Sequence, residues 1–138
     1  MNGQQILFLV VVFVAVVLAT HTSPPLSSIV ALLNKPSDNL IAEVLLKTLG
    51  VVTDGKGSTS AGADVEIKFF ERIGMDTSSL RIVDGSGLSR LNLISAGNLA
   101  DLLTHMHGHR HSAVYLASLP IAGVDGTLRN RMKATAAE

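Results

Sequence analysis

No cysteine occurs among the 138 residues. That absence excludes disulfides, thiol catalysis and cysteine-ligated zinc. It does not argue against export, because many exported bacterial proteins carry no disulfide. Aromatics are scarce, with four phenylalanines and one tyrosine. Charge of one sign is also missing: 11 basic residues balance 11 acidic ones, and no basic stripe runs along the chain. Few rings for stacking and no basic surface together argue against nucleic acid as a partner. The length suits one small domain. Apolar residues, by contrast, are plentiful: they make up 47% of the chain, and the mean hydropathy is +0.41.

Much of that excess sits in residues 6–19, ILFLVVVFVAVVLA. As a helix this run spans about 21 Å at ~1.5 Å per residue, short of the ~30 Å hydrocarbon core of a membrane. Its length suits the hydrophobic region of a secretory signal better than a full span. Val17-Leu18-Ala19 supplies small or modest residues for cleavage, but the leading MNGQQ has no lysine or arginine. A cleaved signal peptide, a retained membrane anchor and an artefact of gene annotation stay open for 1–19. The first two imply export to a periplasmic or other extracytoplasmic space, with the domain in residues 20–138.

Beyond that run the pattern is helical. Ser23 followed by proline predicts a helix start, with Leu26, Ile29, Val30 and Leu33 on one face and Pro36 as its stop. Asp38 or Asn39 can cap a second helix faced by Ile41, Val44, Leu45 and Leu49 and closed at Gly50. Residues 51–59 read as loop. A third helix begins near Ser60, turns Val65, Phe69, Phe70 and Ile73 inward and ends at Gly74. Arg81-Ile82-Val83 reads as a short strand before the turn Asp84-Gly85-Ser86-Gly87. Ser95 caps a fourth helix carrying Leu99, Leu102, Leu103 and Met106. A fifth helix covers 112–118, and a sixth fits 126–132. A lone strand leaves its backbone groups unpaired, so that segment either pairs with another part of a longer protein or is not a strand.

Two motifs weaken on inspection. Gly50 to Gly57, GVVTDGKG, has the glycine spacing and lysine of a phosphate-binding loop. Gly57 stands where a magnesium-holding hydroxyl is needed, and the preceding segment reads as helix rather than strand. A flexible loop is the better reading. His105, His107, His109 and His111 alternate through HMHGHRH. On a strand all four rings share a face, but here they straddle a helix end and Gly108, with no neighbouring acid to orient them. No metal and no cofactor are assigned.

Ser37-Asp38-Asn39 is, taken alone, a capping device before an apolar helix. Its neighbours change that reading. SPPLSSIVALLNKPSDNLIAEVLLKTLG (23–50), GSTSAG (57–62), VDGSGLSR (83–90) and SLPIAGVDGTLRNRM (118–132) together resemble the D-alanyl-D-alanine carboxypeptidase/endopeptidase family of low-molecular-mass class C penicillin-binding proteins. The resemblance runs from about Thr20 to Met132. It implies a serine-type peptidase (a hydrolase) acting on peptidoglycan stem peptides of the bacterial cell wall, with β-lactam antibiotics as ligands of a complete site. The implied fold is a mainly α fragment of the α+β serine DD-peptidase/β-lactamase-like fold: a helical lobe with at most a short strand.

Such enzymes use Ser-x-x-Lys, Ser-x-Asn and Lys-Thr-Gly. Only the second is present, as Ser37-Asp38-Asn39; no serine is followed three positions on by lysine, and Lys47-Thr48 is followed by Leu49. The resemblance implies that the Ser37 hydroxyl sits beside the nucleophile's lysine and relays a proton toward the leaving amine. Asn39 hydrogen-bonds the substrate backbone and that lysine, while Asp38 points away. Ser86 and Leu88, in DGSGLSR, are candidates to line the stem-peptide pocket. The chain is therefore expected to be an interior piece of such a peptidase, inactive and marginally stable alone. A non-catalytic exported module that binds cell wall or a partner is the alternative, and a small metal-binding protein using the histidines is a third reading.

Overall fold

The computed structural model describes residues 19–133. The apolar run at 6–18 lies outside them. Five helices follow in order: α1 (Leu26–Asn34), α2 (Asn39–Asp54), α3 (Thr59–Arg72), α4 (Ala96–Gly108) and α5 (Ser112–Ser118), then a 3-10 turn at Gly126–Leu128. Among the described residues there is no strand, only one antiparallel bridge between Arg81 and Leu93. None of these helices is long and apolar enough to cross a membrane.

The best-packed contact is α2 against α3. Its centre is Leu46, 2% exposed, against the small buried trio Ala61, Gly62 and Ala63. Small residues in the first turn of α3 let its backbone approach α2. A Cβ on Gly62 would collide with the Leu46 carbonyl, and one on Gly50 would lie 2.9 Å from Ala61 Cβ. Gly50 therefore does not close α2. It serves as a contact inside the helix, which continues one turn to Asp54 and ends on Gly55 at φ 68°. The predicted loop at 51–59 is shortened accordingly. The predicted face of α2 also shifts, because Val44 and Leu49 are exposed while Leu46 is buried.

Helix starts follow side-chain chemistry. Asp38 accepts from Ile41 N at 2.9 Å, and Ser58, two residues before the predicted start, accepts from Ala61 N at 3.2 Å. Ser95 and Asn98 form a capping box on α4. Helix α1 departs from expectation: its N-cap is Pro25, with no side-chain cap, so Ser23 plays no capping part. The expected strand at 81–83 is reduced to its single bridge, because Asn92 Oδ1 takes the Val83 N–H at 2.7 Å and diverts it from any ladder. The expected sixth helix is only a 3-10 turn, since Gly123 and Gly126 take positive φ and bend the segment back onto Lys35.

Candidate active site

The turn between α1 and α2 carries Ser37. Its backbone is left-handed, φ 60°. For a non-glycine residue that conformation costs about 1 kcal/mol or more, and it persists only where the surroundings fix it. Two anchors flank it. On its C-terminal side Asp38 N donates to Leu33 O at 2.9 Å, and the Asp38 carboxylate caps α2. On its N-terminal side Lys35 is held by the distant 119–127 segment. Its Nζ donates to Asp125 Oδ2 at 2.5 Å and to Leu119 O at 3.0 Å. Its carbonyl accepts from Thr127 N at 3.0 Å. Beside it, Asn34 Nδ2 donates to the buried Ser118 Oγ at 2.8 Å. Lys35 and the Ile121 N–H hold the Asp125 carboxyl below the usual aspartate range.

The Asp84-Gly85-Ser86-Gly87 turn is pinned to α2 just past Asn39. Glu43 Oε1 accepts from Gly85 N at 2.9 Å and Ser86 N at 3.2 Å. Gly85 is required by proximity, because a Cβ there would sit 2.6 Å from the Ala42 carbonyl oxygen. Within the turn Asp84 is the hub. It accepts from Asn92 Nδ2 at 3.0 Å, Ser89 N at 2.7 Å, Gly87 N at 2.6 Å and Ser86 Oγ at 3.3 Å. These donors, the Asn92 amide foremost, keep its carboxyl below the ordinary range.

Ser37, Asn39 and Ser86 thereby line one open groove of about 240 Å³, with Asp38, Ala42 and Gly85 among its other walls. Neither the Ser37 hydroxyl nor the Asn39 carboxamide makes a hydrogen bond among the described residues, and both residues are exposed. They are available to a ligand. The Ser86 hydroxyl is already committed, donating to Asp84 and accepting from Leu88 N at 3.3 Å. Leu88 is 73% exposed and does not line the groove. Among the described residues no base contacts Ser37.

The histidines stand apart from this groove. The rings of His105, His109 and His111 follow one another at 5.6 and 5.3 Å between centroids, with Phe69 edge-on to His105. Among the described residues no group of three or more His, Cys, Asp or Glu side chains is placed to hold a metal ion. Gly50-Val51-Val52-Thr53-Asp54 lies within α2, so the residues of the glycine-lysine motif form a helix end rather than a phosphate cradle.

Sequence reading missed Glu43, Lys35 and Asp125. Glu43 had a signal: it is the one acid between Asp38 and Asp54, one turn past Asn39. The Lys35–Asp125 pair had none, since 90 residues separate its members.

The D-Ala-D-Ala carboxypeptidase 3 (S13) family profile matches residues 5–138, and the chain belongs to that family. It is 44% identical over 129 residues to a D-alanyl-D-alanine carboxypeptidase of Actinomadura sp. (strain R39), covering 90% of this chain and 24% of that protein. It is 30% identical to the D-alanyl-D-alanine carboxypeptidase DacB of Haemophilus influenzae, covering 83% of this chain and 24% of that protein. The crystal structure of penicillin binding protein 4 from Haemophilus influenzae, complexed with a β-lactam, superposes with a TM-score of 0.74 at 29% identity over 81% of this chain and 26% of that one. The chain thus spans about a quarter of the length of these relatives, and its mainly helical fold matches part of the solved domain.

Proposed function

We propose that this chain supplies one wall of a D-Ala-D-Ala carboxypeptidase cleft for peptidoglycan stem peptides. The observation that carries the reading is the meeting of Ser37, Asn39 and the DGSG turn at a single groove, with the Ser37 hydroxyl and the Asn39 carboxamide unspent.

Acyl transfer needs a nucleophilic hydroxyl, a base to take its proton and donors for the developing oxyanion. Ser37 suits a proton relay: its hydroxyl accepts the proton leaving the nucleophile's lysine and passes one to the departing amine. Asn39 suits substrate positioning, with its carboxamide donating to a backbone carbonyl and accepting from a backbone N–H. The nucleophile, its lysine and the Lys-Thr-Gly element come from polypeptide outside residues 19–133. Without them the chain forms no acyl-enzyme with penicillins or stem peptides.

Helix α2 supports the same reading. Leu40, Val44, Val51 and Val52 are exposed on it, with Leu40 74% and Val52 80% exposed. Large apolar side chains exposed beside a cleft wall suit a surface for further protein. The same side chains support the alternative of a non-catalytic module that docks on a partner. Residues 6–19 fit export to the periplasm or an equivalent space, as a cleaved leader or an anchor.

Labelling with a fluorescent penicillin tests the reading. The chain alone stays unlabelled, whereas a full-length family enzyme carrying this chain's 19–133 segment in place of its own is labelled. Failure of the chimera to react, with its fold intact, would refute the proposal.

A further inference from the structure

A second groove, of about 200 Å³, lies between α3 and the segment 80–94. Phe70, Leu80, Ile82 and Ile94 make its walls apolar, and Glu66 projects among them from α3. Glu66 makes no hydrogen bond and no ion pair with any described residue. Burial against these walls pushes its carboxyl above the ordinary glutamate range.

The other charged groups facing the groove do not compensate it. Asp84 adds a second carboxylate, satisfied wholly by neutral donors of its own turn and by Asn92. Arg81 is the one cation on the rim, and its Nε donates at 2.8 Å to the Leu91 carbonyl instead of to either acid. The groove is thus a small apolar slot with unneutralised negative charge on its wall. A half-buried carboxylate without a partner is costly, and an ammonium delivered with an aliphatic stem relieves that cost while covering the apolar walls. The rim around the slot is apolar and open: Leu91, Leu93 and Ile94 are about half exposed.

We propose that this slot docks a lysine side chain of a partner polypeptide. The stem lies against Phe70, Ile82 and Ile94, the ammonium pairs with Glu66, and apolar residues flanking the lysine cover Leu91 and Leu93. The slot shares Gly85 with the Ser37 groove and is otherwise lined by different residues.

Titration of the full chain with the probe peptide acetyl-Leu-Lys-Leu-amide, followed by amide and methyl NMR shifts, tests it. The expected result is saturable shifts at Ile82, Ile94 and Phe70. Binding should weaken about ten-fold when norleucine replaces the lysine and fall to the same level in Glu66→Gln. Glu66→Gln removes a buried charge and keeps the fold, which its thermal melt verifies. Equal binding of the norleucine peptide, no change in Glu66→Gln, or no shifts at these residues overturns the proposal. n-Butylammonium binding as tightly as the peptide overturns it as well, because the slot is then a free-amine site rather than a docking surface.

Discussion

The α2–α3 pair and the turn that carries Ser37 are held by opposite means. Between the helices Leu46 meets Ala61, Gly62 and Ala63 through apolar contact at close range, with no charge involved. Around Ser37 the contacts are polar: Lys35 with Asp125, Asn34 with Ser118, Asp38 with Ile41 N, and Glu43 with the DGSG turn. The first region resists change because packed side chains have nowhere to go. The second has one residue in a strained conformation and two side chains left unspent. Helix α2 thus carries apolar packing on Leu46 and polar anchoring at its N-terminal end, two chemistries on one element.

Substitutions can break that comparison. The largest loss is expected for Leu46→Ala, about 3 kcal/mol of stability for a fully buried leucine, read by chemical denaturation. Gly62→Ala follows at about 2 kcal/mol, because the added methyl group meets backbone that cannot move aside cheaply. Ser37→Gly should go the other way. It relieves the positive φ and raises stability by roughly 0.5–1 kcal/mol, offset in part by the freer unfolded chain, while removing the hydroxyl that the proposed relay needs. A loss of stability in Ser37→Gly would show that the turn is not strained.

Acid sharpens the contrast. Asp84 and Asp125 are depressed below 3.8, so each stabilises the fold above that value and stops doing so as pH falls through its folded-state pKa. Glu66 is raised above 4.5, so its contribution is present below that value and is lost as pH rises through its folded-state pKa. Thermal melts should therefore show Asp84→Asn destabilised at pH 7 and near neutral in effect once wild-type Asp84 is protonated. Glu66→Gln should be modestly stabilised at pH 7 and unchanged below pH 4.5. These are the smallest effects, and a Glu66→Gln gain that persists in acid contradicts the burial account.

The sequence carried the helices and the triplet more fully than their edges. Ser95, Asp38 and the span 112–118 are legible because caps and periodicity are local. Gly50 misled because a glycine in a helical pattern signals a stop or a close contact with equal force, and only the position of Gly62 on α3 decides between them. Ser37 and Asn39 were legible through a motif. Their convergence with Ser86 was not, since it depends on Glu43 reaching across 42 residues to Gly85. Leu88, two residues on from Ser86, lies outside the groove, because a turn carries neighbouring residues to different sides and only the contact with α2 decides which. The latch from Lys35 to Asp125 has no local signature at all.

Penicillin acylation in the chimeric family enzyme tests the central claim most directly, with rate constants compared for Ser37, Ser37→Ala and Asn39→Ala. The account predicts no labelling of the isolated chain, labelling of the chimera, and at least a ten-fold slower rate in each variant at unchanged melting temperature, in line with the loss of a positioned proton-transfer group. Labelling of the isolated chain, or equal rates in all three chimeras, would contradict it.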